Sequence, residues 1–138
     1  VRTQLHTLGW ADYDGWWLAA GTGTTLAGLV LAEAGAHPVF GAMAVPDDHG
    51  VAQNVSALVQ GGYTLLDASR GGFAKVDPLL LDFIETTEQA CGVPLEPLYT
   101  GKALLALKQQ IEAGHIAPGT RLIFVHTGGL QGRRGLTA

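Results

Sequence analysis

The stretch that decides the fold is Trp16-Trp17-Leu18-Ala19-Ala20-Gly21-Thr22-Gly23-Thr24-Thr25-Leu26-Ala27-Gly28-Leu29-Val30-Leu31-Ala32. An apolar run ends at Ala20, a glycine- and threonine-rich turn follows, and a helical pattern begins. This predicts a buried strand, a tight turn and a helix. Gly21 and Gly23 allow a sharp turn and close approach to a ligand. Thr22, Thr24 and Thr25 supply hydroxyls and capping chemistry. Leu26, Leu29, Val30 and Glu33 keep helical spacing, and Gly28 suits close contact with a sheet. The free N–H groups and partial positive charge of a helix start make such a turn a ready phosphate site. The turn is not a phosphate-binding P-loop, because no lysine follows it. Nor is it the dinucleotide fingerprint, because the third glycine of that pattern falls at Leu26. Anion binding and a plain capped turn both stand at this point.

Outward from that stretch, strands and helices alternate. Strand one covers 16–20 and helix one runs from Thr24 to about Ala34, closed by Gly35. His37 to Val45 is an almost continuous apolar strand. Asp47 or Asp48 is placed to cap a helix from Val51 to Gln60, stopped by Gly61-Gly62. Tyr63 to Leu66 is a third strand, and 67–76 a long connection. Asp77-Pro78 starts a helix that runs to Cys91 and is closed by Gly92. Residues 93–99 form an extended loop with two prolines. Thr100 caps a helix over 101–113, closed by Gly114. Arg121 to His126 is the fourth strand, followed by a second glycine-rich loop, Thr127 to Gly135. The order βαβαβααβ predicts an open three-layer αβα domain with a mostly parallel, Rossmann-like sheet. Right-handed crossovers bring both glycine-rich loops to the carboxyl edge of the strands, where such sheets bind ligands. No internal repeat or low-complexity segment interrupts the pattern.

Bulk composition narrows the function classes. The chain has 138 residues, one domain's worth. It is 47% hydrophobic and only 14% charged, with a mean hydropathy of +0.23. This predicts a deeply buried sheet or a face that expects a partner. No apolar run reaches the ~20 residues of a membrane helix. Arg2, Gln4 and His6 interrupt any signal-peptide pattern, and Val1 at the start is read as following an upstream segment. The single cysteine, Cys91, cannot form an internal disulfide, which points to a reducing, cytoplasmic setting. Its place near a helix end favours a core thiol.

Net charge is −4, unevenly spread. Residues 1–100 carry 3 basic and 11 acidic side chains, and residues 101–138 carry 5 basic and 1 acidic. The basic end has no interleaved aromatic residues, which argues against nucleic acid and for a small anion.

The candidate chemistry lies in two short segments. Tyr99-Thr100-Gly101-Lys102 sits at a loop-to-helix junction, with Thr100 read as a helix cap or a ligand contact. Tyr99 is a proton-transfer phenol or a packed aromatic. Lys102 stands in a first helical turn, where a cation is disfavoured, and is read as solvated. His126-Thr127-Gly128-Gly129 ends a strand, with His126 as a base or a structural histidine. Arg133 and Arg134 offer a carboxylate or phosphate contact, or a solvated tail. The five histidines are scattered and form no metal motif. Neither Ser56 nor Ser69 sits in a nucleophile elbow.

Three segments in this order carry a resemblance: Gly21-Thr22-Gly23-Thr24-Thr25-Leu26-Ala27-Gly28, Glu96-Pro97-Leu98-Tyr99-Thr100-Gly101-Lys102-Ala103, and Phe124-Val125-His126-Thr127-Gly128-Gly129. Together they resemble the carboxyl-terminal half of the 1-aminocyclopropane-1-carboxylate deaminase and D-cysteine desulfhydrase family, from about Trp16 to Gly135. Those are pyridoxal-phosphate enzymes of the tryptophan-synthase-β fold. The resemblance implies that Gly21, Thr22, Gly23, Thr24 and Thr25 cradle the cofactor phosphate and that Thr100 faces the pyridine nitrogen. It implies Tyr99 as a catalytic and substrate-contacting residue, with Phe73, His126, Thr127 and Gly128 around the substrate. The deaminases carry glutamate where Thr100 stands and a second active-site tyrosine where Phe73 falls. The threonine points towards desulfhydrase-like chemistry or another reaction with a less protonated ring, and the missing hydroxyl at Phe73 argues against deaminase activity.

In this family the Schiff-base lysine belongs to the amino-terminal half. Lys75, Lys102 and Lys108 do not match its context. The implied entity is one α/β domain over residues 1–138, part of a larger pyridoxal-phosphate enzyme acting on a small amino acid. By itself it binds the cofactor phosphate and ring without running the reaction. It is expected to form a homo-oligomer or to join a missing amino-terminal partner. The alternative is a non-catalytic phosphate- or nucleotide-binding module.

Overall fold

The structure is a computed structural model, and it describes residue 4 and residues 13–21, 23–33, 36–44, 50–59, 61–71 and 75–126. Strand β1 is Gly15–Ala20, helix α1 Thr24–Glu33, β2 Val39–Met43, α2 Val51–Leu58, β3 Tyr63–Asp67, α3 Pro78–Cys91, α4 Thr100–Glu112 and β4 Leu122–Val125. The order is the one expected from the pattern. The four strands form one sheet in the order β3-β2-β1-β4, and every pair is parallel.

β1 is the central element, buried on both faces because helices cover both. Trp16, Leu18 and Ala20 join Leu26, Val30, Val51 and Val55 of α1 and α2 in one core. Trp17 and Ala19 join Ala103 and Leu107 of α4 in the other. Trp16 and Trp17 are each 1% exposed. Burying a side chain of that size contributes about 4–6 kcal/mol gross at ~25 cal/mol per Å². The Trp17 Nε1–H also donates to the Ala103 carbonyl at 2.8 Å, so it ties β1 to α4 inside the core. α3 packs on α4 through Leu80, Ile84 and Leu105, with Leu95 of the connecting loop in the same cluster.

The helix ends follow the chemistry of their residues with two differences. Asp77 caps α3 as expected, its Oδ1 accepting from Leu80 N at 2.9 Å, and Gly92 closes the helix at φ 69°. α2 is capped by Gly50, at φ 80°, with no side-chain hydrogen bond. Asp47 and Asp48 lie outside the described residues. The N-cap of α4 is Tyr99, and Thr100 is already helical. Two further expectations are corrected. Gly28 is exposed, and a side chain there would meet nothing within 4 Å, because Leu26, Ala27 and Val30 face the sheet instead. Cys91, the last residue of α3, is exposed and not a core thiol. Among the described residues no helix is long and apolar enough to cross a membrane.

Candidate functional site

The strand order reverses beside β1. β2 and β3 extend the sheet to one side, whereas β4 lies on the other. The crevice at the carboxyl ends of β1 and β4 is therefore the topological switch point, where open α/β sheets bind ligands. Gly21 leaves β1 there, and His126 leaves β4.

The turn after β1 is shaped as its glycines predict. Gly23 has φ +94°, and a Cβ on it would lie 2.4 Å from Val55 Cγ2. Only glycine meets both demands. Gly23 also accepts the first helical bond of α1, from Ala27 N at 2.9 Å. Thr25 is exposed in the first turn. Thr22 and the side chain of Thr24 lie outside the described residues. A Cβ on Gly21 would sit 3.1 Å from Tyr99 Cε1, so the tyrosine ring lies directly against the turn. The first and second motifs of the sequence, nearly eighty positions apart, thus form one wall.

Tyr99 is held by a residue given no role in the sequence reading. Glu96 is fully buried. Its Oε2 accepts from Leu98 N at 2.6 Å, and its Oε1 accepts from Tyr99 N and Thr100 N, each at 2.7 Å. The carboxylate thus satisfies N–H groups that a helix start leaves open, at the end where the helix dipole favours an anion. Thr100 is turned into the same knot: its Oγ1 accepts from Glu96 N at 3.1 Å and donates to Glu96 Oε1 at 3.4 Å. Gly101 allows the tight return, because a Cβ there would be 2.6 Å from the Glu96 carbonyl and 2.7 Å from Ile84 Cδ1. The available signal was a glutamate four residues before the first helical threonine, a spacing that lets its carboxylate fold forward onto the helix start.

Lys102 is the clearest departure from expectation. It is 1% exposed, not solvated, because the first turn of α4 is packed against the sheet. Its Nζ donates to the Ser69 carbonyl at 2.9 Å. Burial lowers its pKa most, and Arg70 adds to that, while Glu96, Asp77 and Asp67 oppose it. It borders a cavity of about 210 Å³ that Asp67, Arg70, Gly71 and Gln109 also line.

His126 is exposed, and its Nε2 lies 2.7 Å from the Pro94 carbonyl. A carbonyl only accepts, so Nε2 carries the proton. This contact joins the end of β4 to the loop that carries Glu96 and Tyr99. Phe73, Thr127 and Gly128 lie outside the described residues, as do Arg133 and Arg134. Lys75 is exposed, and Lys108 pairs with Glu112 at 2.8 Å on the outer end of α4.

The fold that carries this turn has a solved counterpart. A crystal structure of a homologue of 1-aminocyclopropane-1-carboxylate deaminase superposes over 95% of the chain, with a TM-score of 0.76 and 26% identity. The chain resembles the 1-aminocyclopropane-1-carboxylate deaminase and D-cysteine desulfhydrase family in sequence and in fold. A Pyrococcus horikoshii protein described as "putative 1-aminocyclopropane-1-carboxylate deaminase" is 29% identical over 94% of the chain. The mitochondrial bifunctional D-cysteine desulfhydrase/1-aminocyclopropane-1-carboxylate deaminase of Arabidopsis thaliana is 34% identical over 48% of it. The chain spans 43% of the length of the Pyrococcus protein, 17% of the Arabidopsis one and 44% of the solved deaminase homologue. No protein-family model matches.

Proposed function

We propose that this chain is the pyridoxal-phosphate-cradling part of a deaminase- or desulfhydrase-like enzyme. The observation that carries the reading is the Gly21–Gly23 turn at the switch point, with α1 starting behind it and the Tyr99 ring against it. A phosphate fits such a turn, because the first N–H groups of α1 have no helical acceptor and the dipole favours an anion. In this reading Gly21 to Thr25 hold the phosphate, and Tyr99 flanks the ring and the amino-acid substrate. His126 closes the far side with its Nε2 proton on the Pro94 carbonyl. Thr100 supports this wall through Glu96. A bound pyridoxal phosphate supplies the electron sink for breaking bonds at the α or β carbon of a small amino acid.

The lysine that such chemistry needs is not offered by this chain. Lys102 is occupied with Ser69, Lys108 pairs with Glu112, and Lys75 is exposed to solvent. We therefore propose binding without turnover by the chain alone, in a cytoplasmic setting; a second copy would cover apolar surface, and only a different, amino-terminal partner would supply the lysine. The inward turn of Thr100 favours one other reading, a phosphate- or nucleotide-binding module that makes no use of a pyridine ring.

Titration of the purified chain with pyridoxal 5′-phosphate tests these readings, followed by tryptophan fluorescence, with inorganic phosphate as competitor. The expected result is saturable, phosphate-competed binding that Gly23→Ala abolishes. After borohydride reduction, peptide mapping is expected to show no single labelled lysine. Equal binding of pyridoxal phosphate and simple nucleotides establishes the module reading instead. No saturable binding sinks both.

A further inference from the structure

The loops at the carboxyl edge are joined in a closed circuit. Ala44 N donates to the Ala20 carbonyl at 3.1 Å, which joins the exits of β2 and β1. Ala68 N donates to the Met43 carbonyl at 2.9 Å, which joins the exits of β3 and β2. Tyr99, at the start of α4, lies against Gly21 at the exit of β1. One link remains, between the start of α4 and the exit of β3. The Lys102 ammonium makes it, on the Ser69 carbonyl at 2.9 Å.

That loop needs holding. Arg70 has φ 57°, an uncommon conformation for a residue with a side chain, and Gly71 follows at φ 95°. Arg70 and Gly71 border the cavity of about 210 Å³, so close packing does not fix them from below. Three polar contacts act in its place. Asp67 Oδ1 accepts from Ser69 N at 2.9 Å and from Ser69 Oγ at 2.7 Å, and Arg70 Nε donates to Asp77 Oδ2 at 2.6 Å. All three attach the loop to its own neighbours in sequence. The Lys102–Ser69 bond attaches it to α4.

We propose that Lys102 is a positioning residue for the ligand site, fixing the loop after β3 relative to the Tyr99–Thr100 start of α4. The effect on ligand affinity rests on the cofactor-binding reading above. The effect on the loop does not. A lysine buried for packing alone would be replaceable by methionine, which matches its length and apolar stem. A positioning lysine would not.

The test compares wild type with Lys102→Met and with Asp67→Ala, which loosens the same loop and leaves the Lys102–Ser69 bond in place. Two readouts are taken: pyridoxal 5′-phosphate affinity, and amide hydrogen exchange at 68–71, at 99–101 and in β1. For Lys102→Met, exchange is expected to rise at both 68–71 and 99–101 with β1 unchanged. Affinity is expected to fall about tenfold, the scale of one lost buried hydrogen bond to a charged donor. Asp67→Ala is expected to raise exchange at 68–71 and to weaken binding less. Wild-type affinity and exchange in Lys102→Met overturn the proposal, as does a uniform rise that includes β1, which marks a merely structural role. If wild type itself binds no pyridoxal phosphate, the cofactor reading falls, and the exchange pattern alone still decides the role of Lys102.

Discussion

Two carboxylates are buried among the described residues, at opposite edges of the sheet, and they are held in different ways. Glu96, at the carboxyl edge, is surrounded by backbone N–H groups of Leu98, Tyr99 and Thr100. Glu33, at the amino edge, is surrounded by side chains. Tyr13 Oη donates to its Oε1 at 3.1 Å, and His37 Nδ1 lies 2.7 Å from its Oε2, with the two rings stacked at 4.0 Å. Backbone donors cannot rotate away or titrate, so Glu96 makes a rigid mount for Tyr99. Side-chain donors can do both, so the Glu33 cluster is an adjustable clasp between α1 and the starts of β1 and β2. The rigid mount stands at the proposed ligand site and the adjustable one does not, which matches the need of a binding wall for fixed geometry.

Alanine at each position sharpens this contrast most. Glu96→Ala leaves buried N–H groups at a helix start and is expected to cost about 3–5 kcal/mol in chemical denaturation. Glu33→Ala frees a half-exposed histidine and a tyrosine that water can reach, at about 1–2 kcal/mol. Equal losses would break the comparison.

Next in size is Gly23→Ala, which forces a side chain into the left-handed region and onto Val55. We expect a loss of about 2–4 kcal/mol, read as a lowered urea midpoint, together with loss of phosphate-competed binding. A stable, binding-competent variant would mean that the turn has no need of glycine.

The third test uses pH. Burial raises the Glu33 pKa, but hydrogen bonds from His37 and Tyr13 outweigh it, and the net shift is downward. A carboxyl held below its unfolded value contributes stability above that value and loses it as pH falls through the folded one. Urea midpoints should therefore drop below the ordinary carboxylate range. His37→Ala should lower the midpoint at neutral pH and flatten that acid loss. Asp77 shares the sign, lowered first by the Leu80 N–H and then by Arg70, so Asp77→Ala serves as the control. It should cost about 1 kcal/mol through the lost cap, without altering the response to His37→Ala.

The smallest effect concerns association. Leu79 and Ile111 are 53% and 54% exposed on α3 and α4, and Ile111 lines a largely apolar hollow of about 360 Å³ with Phe83 and Leu104. Light scattering is expected to show a species heavier than 14.4 kDa at high concentration. Leu79→Lys with Ile111→Lys should reduce it.

Much of this was legible in the chain. Periodicity gave the eight elements in order, because apolar spacing reports a residue's burial whatever its partner. The glycine turn after β1, the YTGK segment and His126 at the end of β4 marked the switch point, since turn chemistry is local. The capping of α3 by Asp77 was legible for the same reason.

Tertiary structure alone decided the rest. Lys102 reads as a solvated lysine in any window around it, and only the packing of α4 against the sheet buries it beside Ser69. Glu96 reads as one more surface acid until the chain folds back and brings its carboxylate onto the N–H groups of Tyr99 and Thr100. Gly28 and Cys91 fail in the opposite sense, both facing solvent, because the direction of a helix face depends on what lies opposite. Local sequence fixes backbone preference and the periodicity of burial. The partner of a buried charge is a long-range fact, set by which elements the sheet brings together.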